Sequence, residues 1–284
     1  MALSARIPSG LDTNKFIPEL FSRNVLKAVK NKLVTVSAVN HSYEKELVKG
    51  DTLYITRTNT VTATEITIGT EGVQKNPFNT TAVTLTVNQY YEAPVTIDYM
   101  SRRQSQVDLV GEAEDESAYA IAKIVDTSVC DLFSALSGST GYGTDGSAIT
   151  DSVLISAVEE LDEADAPDEN RVWILDPSAK ADLMGIDKFV RVDYGYGEQV
   201  PTGTFRKDVY GAPVRITNNL TANSTGNYGV YMHRDAIAIV ISERLDVDRV
   251  DQPLKHQLIV NTSALWGVIE LRDTFGMPIL TRLA

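Results

Sequence analysis

The spacing of apolar positions changes period along this 284-residue chain, and each change marks a different kind of element. Across residues 111–138 apolar residues recur at Ala118, Ile121, Ala122, Val125, Val129, Leu132, Phe133 and Leu136, the three-and-four rhythm of one helical face. Glu112, Glu114, Asp115 and Glu116 crowd the first turns, where the helix dipole favours negative charge. Gly111 lets the chain turn in, and Gly138, followed by Ser139 and Gly141, is a stop signal. The pattern predicts a single rod of about 40 Å. No other segment has comparable helical periodicity, so the rod reads as a spine on which other pieces are mounted.

Upstream, over 50–99, the period falls to two. Thr52, Tyr54 and Thr56 alternate with Leu53, Ile55 and Arg57, and residues 60–68 are rich in Thr and Val. Val83, Leu85 and Val87 then alternate with Thr84 and Thr86. Gly69, Gly72, Asn76, Pro77 and Asn79 supply turn chemistry. This predicts a long two-stranded excursion with its tip near residue 75. Two strands alone are marginal in water, so the ribbon needs a surface to pack on, in its own chain or a neighbour's. A short strand over 93–99 and a helical lead-in over 101–110 join it to the spine. The first 40 residues form an arm with no core of its own. Within it, Pro18 opens a short helix with Phe21, Val25, Leu26 and Val29 on one face, and 34–39 alternates like a strand.

Downstream, 137–147 is dense in Gly, Ser and Thr and reads as a hinge or linker. An amphipathic helix over 152–162 follows, with Val153, Leu154, Ala157, Val158 and Leu161 on one side. Residues 172–175 form a buried-type strand, and Pro177 opens another helix reaching 184. A Gly- and Tyr-bearing loop spans 187–204. Strands are expected at 214–216, 228–232 and 237–241, giving an α+β unit with a small mixed sheet. The strict alternation over 244–250, the long apolar run over 258–271 and a closing segment at 277–280 complete the chain.

The net charge is −12 and the pI about 4.7, which argues against a protein built to grip nucleic acid through a basic face. No apolar run approaches the length of a membrane span. Cys130 is the one cysteine, which rules out an intrachain disulfide and favours intracellular synthesis. The sequence Gly141-Tyr-Gly-Thr-Asp-Gly matches GxGxxG but follows a helix, whereas phosphate binding requires a preceding strand, so it reads as linker. His41, His233 and His256 are too scattered for metal-ligand spacing. Cys130 lacks an adjacent basic group and reads as a structural thiol. Glu159, Glu160, Asp162, Glu163, Asp165, Asp168 and Glu169 fit no calcium loop and read as a solvated helix end. Trp173 and Trp266 lie in strand-like apolar runs and are core positions. Tyr90, Tyr91, Tyr194 and Tyr196 lack the surrounding Lys or Arg of a base-stacking platform and suit interface packing. No catalytic, cofactor-binding or metal-binding residue is therefore expected, and the chain is not read as an enzyme.

The order of parts resembles the HK97-type major capsid (coat) proteins of tailed double-stranded DNA bacteriophages. The resemblance covers nearly the whole chain: arm, long hairpin, long helix, Gly-rich linker, α+β domain and returning long strands. Asn170-Arg-Val-Trp-Ile-Leu-Asp-Pro-Ser-Ala-Lys is similar to that family's strand and following helix, and Val209-Tyr-Gly-Ala-Pro-Val to its small loop and strand. Residues 228–249 followed by 257–280 resemble its last strands. The resemblance implies an α+β HK97-like fold with an N-terminal arm at 1–49 and an extended loop at 50–97. It further implies a peripheral domain at 98–138 and 242–284 and an axial domain at 139–241, with 187–204 near the five- and six-fold axes.

By function it implies a shell subunit that self-assembles as hexamers and pentamers into an icosahedral head around double-stranded DNA. The acidic balance would keep DNA from sticking to the wall. Expected partners are copies of itself, a portal, a separate scaffolding protein and a decoration or cement protein, with no sequence-specific DNA binding and no membrane. The location would be the virion, with assembly in the bacterial host cytoplasm. Two alternatives stay open: an encapsulin-like nanocompartment shell, and a phage tail or adhesion binding module.

Overall fold

The computed structural model describes residues 33–47, 50–58, 61, 63, 65, 79–105, 107–139, 141–144, 146–190, 208–223 and 226–282. The spine is helix α2, Leu109–Cys130. It starts earlier than the sequence pattern indicates, because Asp108 is the cap: its side chain accepts from the Val110 and Gly111 amides. Gly111 thus lies inside the first turn, where a Cβ would meet Asp108 Oδ2 at 3.1 Å. The α geometry ends at Asp131, and 3-10 turns at Asp131–Ser134 and Leu136–Ser139 follow. These 22 residues make a rod of about 33 Å rather than 40. The tighter turns drop Phe133 and Leu136, both fully buried, into the core. Short helix α1, Tyr99–Gln104, takes up only the first part of the lead-in expected over 101–110: Ser105 is extended, and Asp108 caps the spine.

One side of the spine lies on a three-stranded antiparallel sheet of order β3 (Gln89–Asp98), β9 (Gln257–Glu270), β8 (Ile237–Gln252). Alternate residues of β9, from Leu258 through Val260, Thr262 and Ala264 to Trp266, are buried toward α2. Ser117 Oγ meets Thr262 Oγ1 at 2.8 Å, and Trp266 Nε1 donates to Ser128 Oγ at 3.0 Å. The patterns at 237–241 and 244–250, read separately in the sequence, belong to the single 16-residue strand β8. Register shifts between Ile241, Glu243 and Asp246 interrupt its alternation, as a bulge does, which hides the continuity from periodicity. Strand β3 likewise begins earlier than expected, where Gln89 pairs with Trp266.

The second sheet has five strands in the order β10-β7-β4-β6-β5. Its centre is β4, Arg171–Leu175, buried at every position, parallel to β6 (Ala212–Ile216) and antiparallel to β7 (Gly226–His233). Strand β5, Asp208–Val209, joins β6 through Tyr210 and Gly211, both left-handed at φ 50 and 80. Helix α3, Asp151–Glu163, buries Leu154, Ala157 and Leu161 as its pattern predicts. Helix α4, Pro177–Leu183, is capped by Asp176, and the four-residue helix α5, Asp187–Val190, follows. The closing strand β10, Gly276–Arg282, is longer than expected and pairs with β7, so the C-terminal segment enters this sheet.

The Gly-rich stretch is not a free hinge. The Tyr142 amide donates to Pro278 O and Tyr142 O accepts from the Leu280 amide, both at 2.8 Å. A Cβ at Gly143 would sit 2.9 Å from Leu280 O. The glycines there serve close approach to β10 rather than flexibility.

The hairpin is present as β1, Thr52–Thr58, paired in antiparallel register with β2, Thr80–Thr86. The expected tip, the arm helix from Pro18 and most of the loop at 187–204 lie outside the described residues. Residues 34–39 do not form the expected strand. They make a 3-10 turn at Val36–Ala38, after which Asn40 bridges to Ala238. The reason is a side chain distant in sequence: the fully buried Asp126 of the spine accepts from the Thr35 and Val36 amides at 2.9 and 3.2 Å. Its other oxygen accepts from Asn219 Nδ2 at 3.1 Å. Replacing Asp126 with Leu removes the acceptor for both amides and should cost at least about 3 kcal/mol in chemical denaturation. Asp126→Asn, which keeps an acceptor oxygen, should cost less than half of that. Equal losses would show that the amide acceptor is not what matters.

Candidate assembly surface

The residues with chemical potential are separated by the fold. His41 Nδ1 lies 2.7 Å from Glu44 Oε1, and its other nitrogen is 2.7 Å from Val36 O, a local brace. His233 packs edge-on against Phe275, and burial pushes its pKa below the ordinary histidine value. His256 occupies a left-handed turn beside Tyr99. Among the described residues no three His, Cys, Asp or Glu side chains gather as a metal site. Cys130 is fully buried, with its sulfur 3.5 Å from Thr35 Oγ1, and burial pushes its pKa up to about 12, so it stays a thiol. Trp173 stacks on Tyr231 at 4.0 Å and donates to Val209 O, as a core residue does. Tyr91 stacks on Trp266 at 5.2 Å.

The acidic run after α3 has an organiser that the sequence reading overlooked. The buried Arg171 guanidinium donates to Asp162 Oδ1, Ala166 O and Pro167 O at 2.6, 2.6 and 2.9 Å. It also lies 2.9 Å from Asp168 Oδ1. The run is therefore a loop folded around one cation and only partly a solvated helix end. The available signal was a lone Arg opening an apolar strand nine residues after Asp162.

Among the described residues, exposed large apolar side chains include two groups, on the hairpin and on the β8–β9 hairpin, besides Tyr90, Tyr91, Ile155, Met184 and Tyr210. The hairpin presents Tyr54, 68% exposed, above its packed base. The free end of the β8–β9 hairpin presents Leu245, Val247, Val250 and the 99% exposed Leu254, with Met100 of α1 also bare. Val247, opposite Thr262, and Val250, opposite Ile259, lie on the two faces of the sheet, so both faces at this end carry exposed apolar side chains of the kind that interaction surfaces use. Strand β8 is moreover a sheet edge, and open edges invite a further chain.

The face of the three-stranded sheet away from α2 divides in two. Near Ala238 and Val240 it is covered by Leu85 and Val87 of the hairpin base and by Tyr43 and Leu47. Toward the free end its Tyr90 and Val250 are exposed among the described residues. The base sits so close that a Cβ on Gly267 would lie 2.4 Å from Thr86 O. Between hairpin and body runs a cleft of about 620 Å³, lined by Tyr43, Ile55, Val83 and Leu271 with Arg57 and Arg272.

A fold with a spine, two sheets, an outstretched ribbon and bare apolar ends is that of a building block. A family described as "Phage capsid protein" matches residues 80–252, more than half of the chain, and the chain belongs to that family. A solved structure from Mycobacterium phage Che8 is 24% identical with a TM-score of 0.80, covering 94% of this chain and 97% of that one. The capsid structure of Cyanophage P-SCSP1u is 15% identical with a TM-score of 0.77, covering 97% and 96%. The mature capsid of bacteriophage PhiM1 is 17% identical with a TM-score of 0.73, covering 94% and 93%. No curated protein matches the sequence. The α+β fold is of the HK97 type, and the chain is a major capsid protein of a phage head shell, a structural role located in the virion.

Two outcomes are expected. Gly267→Ala places a methyl group against Thr86 O, and should lower stability by about 1–3 kcal/mol while raising amide exchange in β2. Unchanged melting and exchange would show that the crossing yields freely. For Cys130, the folded thiol keeps its proton to about 12, while an unfolded thiol loses it near pH 8.5. The contribution is complete below pH 8.5 and falls as pH rises toward 12, by up to about 1.4 kcal/mol per unit. Urea melts between pH 8 and 10 should show Cys130→Ala losing stability less steeply than wild type; parallel slopes would refute the assignment.

Proposed function

We propose that this subunit assembles as hexamers and pentamers into an icosahedral head around double-stranded DNA, holding the genome without sequence-specific contacts. The observation that carries the reading is the apolar surface on the hairpin and on the free β8–β9 end, which the described residues of one subunit leave exposed. The family match to phage capsid proteins favours a phage head over a cargo-carrying compartment or a tail module. The proposed division is an arm at 1–49, an extended loop at 50–97, a peripheral domain at 98–138 and 242–284, and an axial domain at 139–241. The pairing of β10 with β7 would then stitch the peripheral part to the axial part. A portal, a separate scaffolding protein and a decoration or cement protein are proposed partners, with assembly in the host cytoplasm. The subunit carries no catalytic step in this reading.

The test is assembly itself. Purified protein should form megadalton particles by light scattering and closed shells by electron microscopy. Replacing residues 59–79 with a short Gly-Ser turn should leave the melting temperature nearly unchanged, because the packed base at Leu85 and Val87 remains. Particle yield should fall on the order of tenfold, since two strands without a partner surface are marginal. A normal yield would remove the hairpin from the assembly surface.

A further inference from the structure

We infer that His233 is an acid-sensitive latch on the joint where the two sheets and the arm meet. Neutral, its ring holds the joint closed; protonated, it releases the arm.

The joint is the 3-10 turn Arg234–Ala236, which carries the chain from β7 of one sheet into β8 of the other. Neighbouring segments converge on it. Asn40 of the arm donates from Nδ2 to Asp235 Oδ1 at 2.6 Å, and Arg234 Nε donates to Val39 O at 3.3 Å. The Asn40 amide donates to Ile237 O at 3.0 Å, and Asn40 O accepts from the Ile239 amide at 3.1 Å. The Leu271 and Arg272 amides donate to Ala236 O at 2.8 and 3.2 Å, and the Arg234 amide donates to Asn170 O at 3.2 Å.

His233 caps this turn. Its Nδ1 accepts from the Asp235 amide at 3.1 Å. A backbone N–H can only donate, so Nδ1 must be bare, and the ring's one proton sits on Nε2, toward the Glu169 backbone. The residue is 5% exposed, and its ring stands edge-on to Phe275 at 5.8 Å. A capping imidazole works in one protonation state only. A second proton must go on Nδ1, where it confronts the Asp235 N–H and ends that hydrogen bond.

The surrounding charges decide what the cation does. Arg171 is the registered partner of His233 on β4, and the Arg272 guanidinium lies 4.7 Å over the Phe275 ring. Burial foremost, and then these two cations, hold the His233 pKa below the ordinary histidine value against the opposing pull of Asp235. Asp162 and Asp168 are turned to Arg171. Asp235 faces the ring, with Oδ2 3.8 Å from Nδ1, and its other oxygen is the acceptor for Asn40. To close on a protonated ring, this carboxylate must turn from Asn40 toward Nδ1. The proton therefore acts twice: it uncaps the turn, and it draws away the acceptor that holds the arm.

In the open joint the histidine is ordinary and titrates near pH 6.5. Because the closed joint lowers that value, its stability is complete above about pH 6.5 and falls as pH drops toward the lowered value, by up to about tenfold per unit in the closing constant. Glu270, at the adjoining end of β9, runs the other way: burial and Asp273 raise its pKa, so acid favours its folded place. Removing His233 alone separates the two.

Two exchange measurements on the full-length protein, from about pH 8 down to about pH 5, test the latch. Exchange of the imidazole C2 hydrogen, read by mass spectrometry, should place the His233 midpoint below about 6.5; a midpoint at or above it would overturn the inference. Backbone amide exchange, corrected for its intrinsic pH dependence, should show Asn40, Asp235 and Ile239 evenly protected above about pH 6.5 and losing up to about tenfold per unit below it. His233→Asn places an oxygen where Nδ1 stood, keeps an acceptor for the Asp235 amide and cannot titrate, so its protection should stay level over the same range. Level protection in wild type, or an equal fall in both proteins, would refute the latch, the second outcome assigning the acid response to other groups. Should His233→Asn fail to fold, Arg272→Gln decides: losing a cation at the exposed rim should raise the His233 midpoint and make the fall in protection shallower. An unmoved midpoint would overturn the inference. These readings concern one subunit's joint, so their failure leaves the shell reading standing.

Discussion

The structure turns on a buried carboxyl group in the middle of a helix. Asp126 has no exposure, and its oxygens receive the two amides where the arm joins the body and the side chain of Asn219 beside the five-stranded sheet. An apolar residue would keep the helical stripe intact but leave those backbone donors inside the core unpaired, a larger loss than one hydrogen bond. Three parts of the chain separated by about 90 residues thus meet at one side chain on the spine. The spine in turn lies on the three-stranded sheet through Ser117, Ser128 and Ile121, and its 3-10 continuation places Phe133 and Leu136 under the second sheet. A Cβ on Gly276 would meet Leu136 Cδ1 at 2.6 Å, which measures how closely that junction is drawn.

Around this joint the chain divides into surface that is finished and surface that is not. The two sheets and α3 close a continuous core holding Trp173, Trp266 and Tyr231. The hairpin base closes a smaller one with Leu47, Leu85, Val87, Ala238 and Val240. Beyond these, among the described residues, Leu245, Val247 and Val250 of the edge strand β8, Leu254 at its turn and Tyr54 on the hairpin stay exposed. A shell subunit needs both properties: a body rigid enough to hold its edges at fixed angles, and edges incomplete enough that only copies complete them. The tied-down Gly-rich stretch belongs to the first requirement. Tyr142 bonds to both Pro278 and Leu280, and its hydroxyl donates to Glu160 at 2.7 Å, so β10, α3 and the stretch between spine and α3 move as one piece.

Much of this was legible in the chain because it depends on neighbours in sequence. The spine, the alternating hairpin strands, the amphipathic α3, the buried β4 and the Asp-Pro start of α4 are each specified within a dozen residues, and their order is what resembles the coat fold. Tertiary structure decided what depends on distant partners. Residues 34–39 alternate like a strand yet turn, because Asp126 receives their amides. Two periodic patches merge into the single strand β8 because β9 pairs with both across a bulge, where local period is lost. The Gly-rich segment is composed like a hinge and behaves as a seam, because glycine serves close approach to a strand as well as it serves freedom. The acidic run became a loop around Arg171 through charge pairing that periodicity does not encode. Period and composition determined which elements exist. Register, burial of polar groups and the approach of backbones distant in sequence determined how they join.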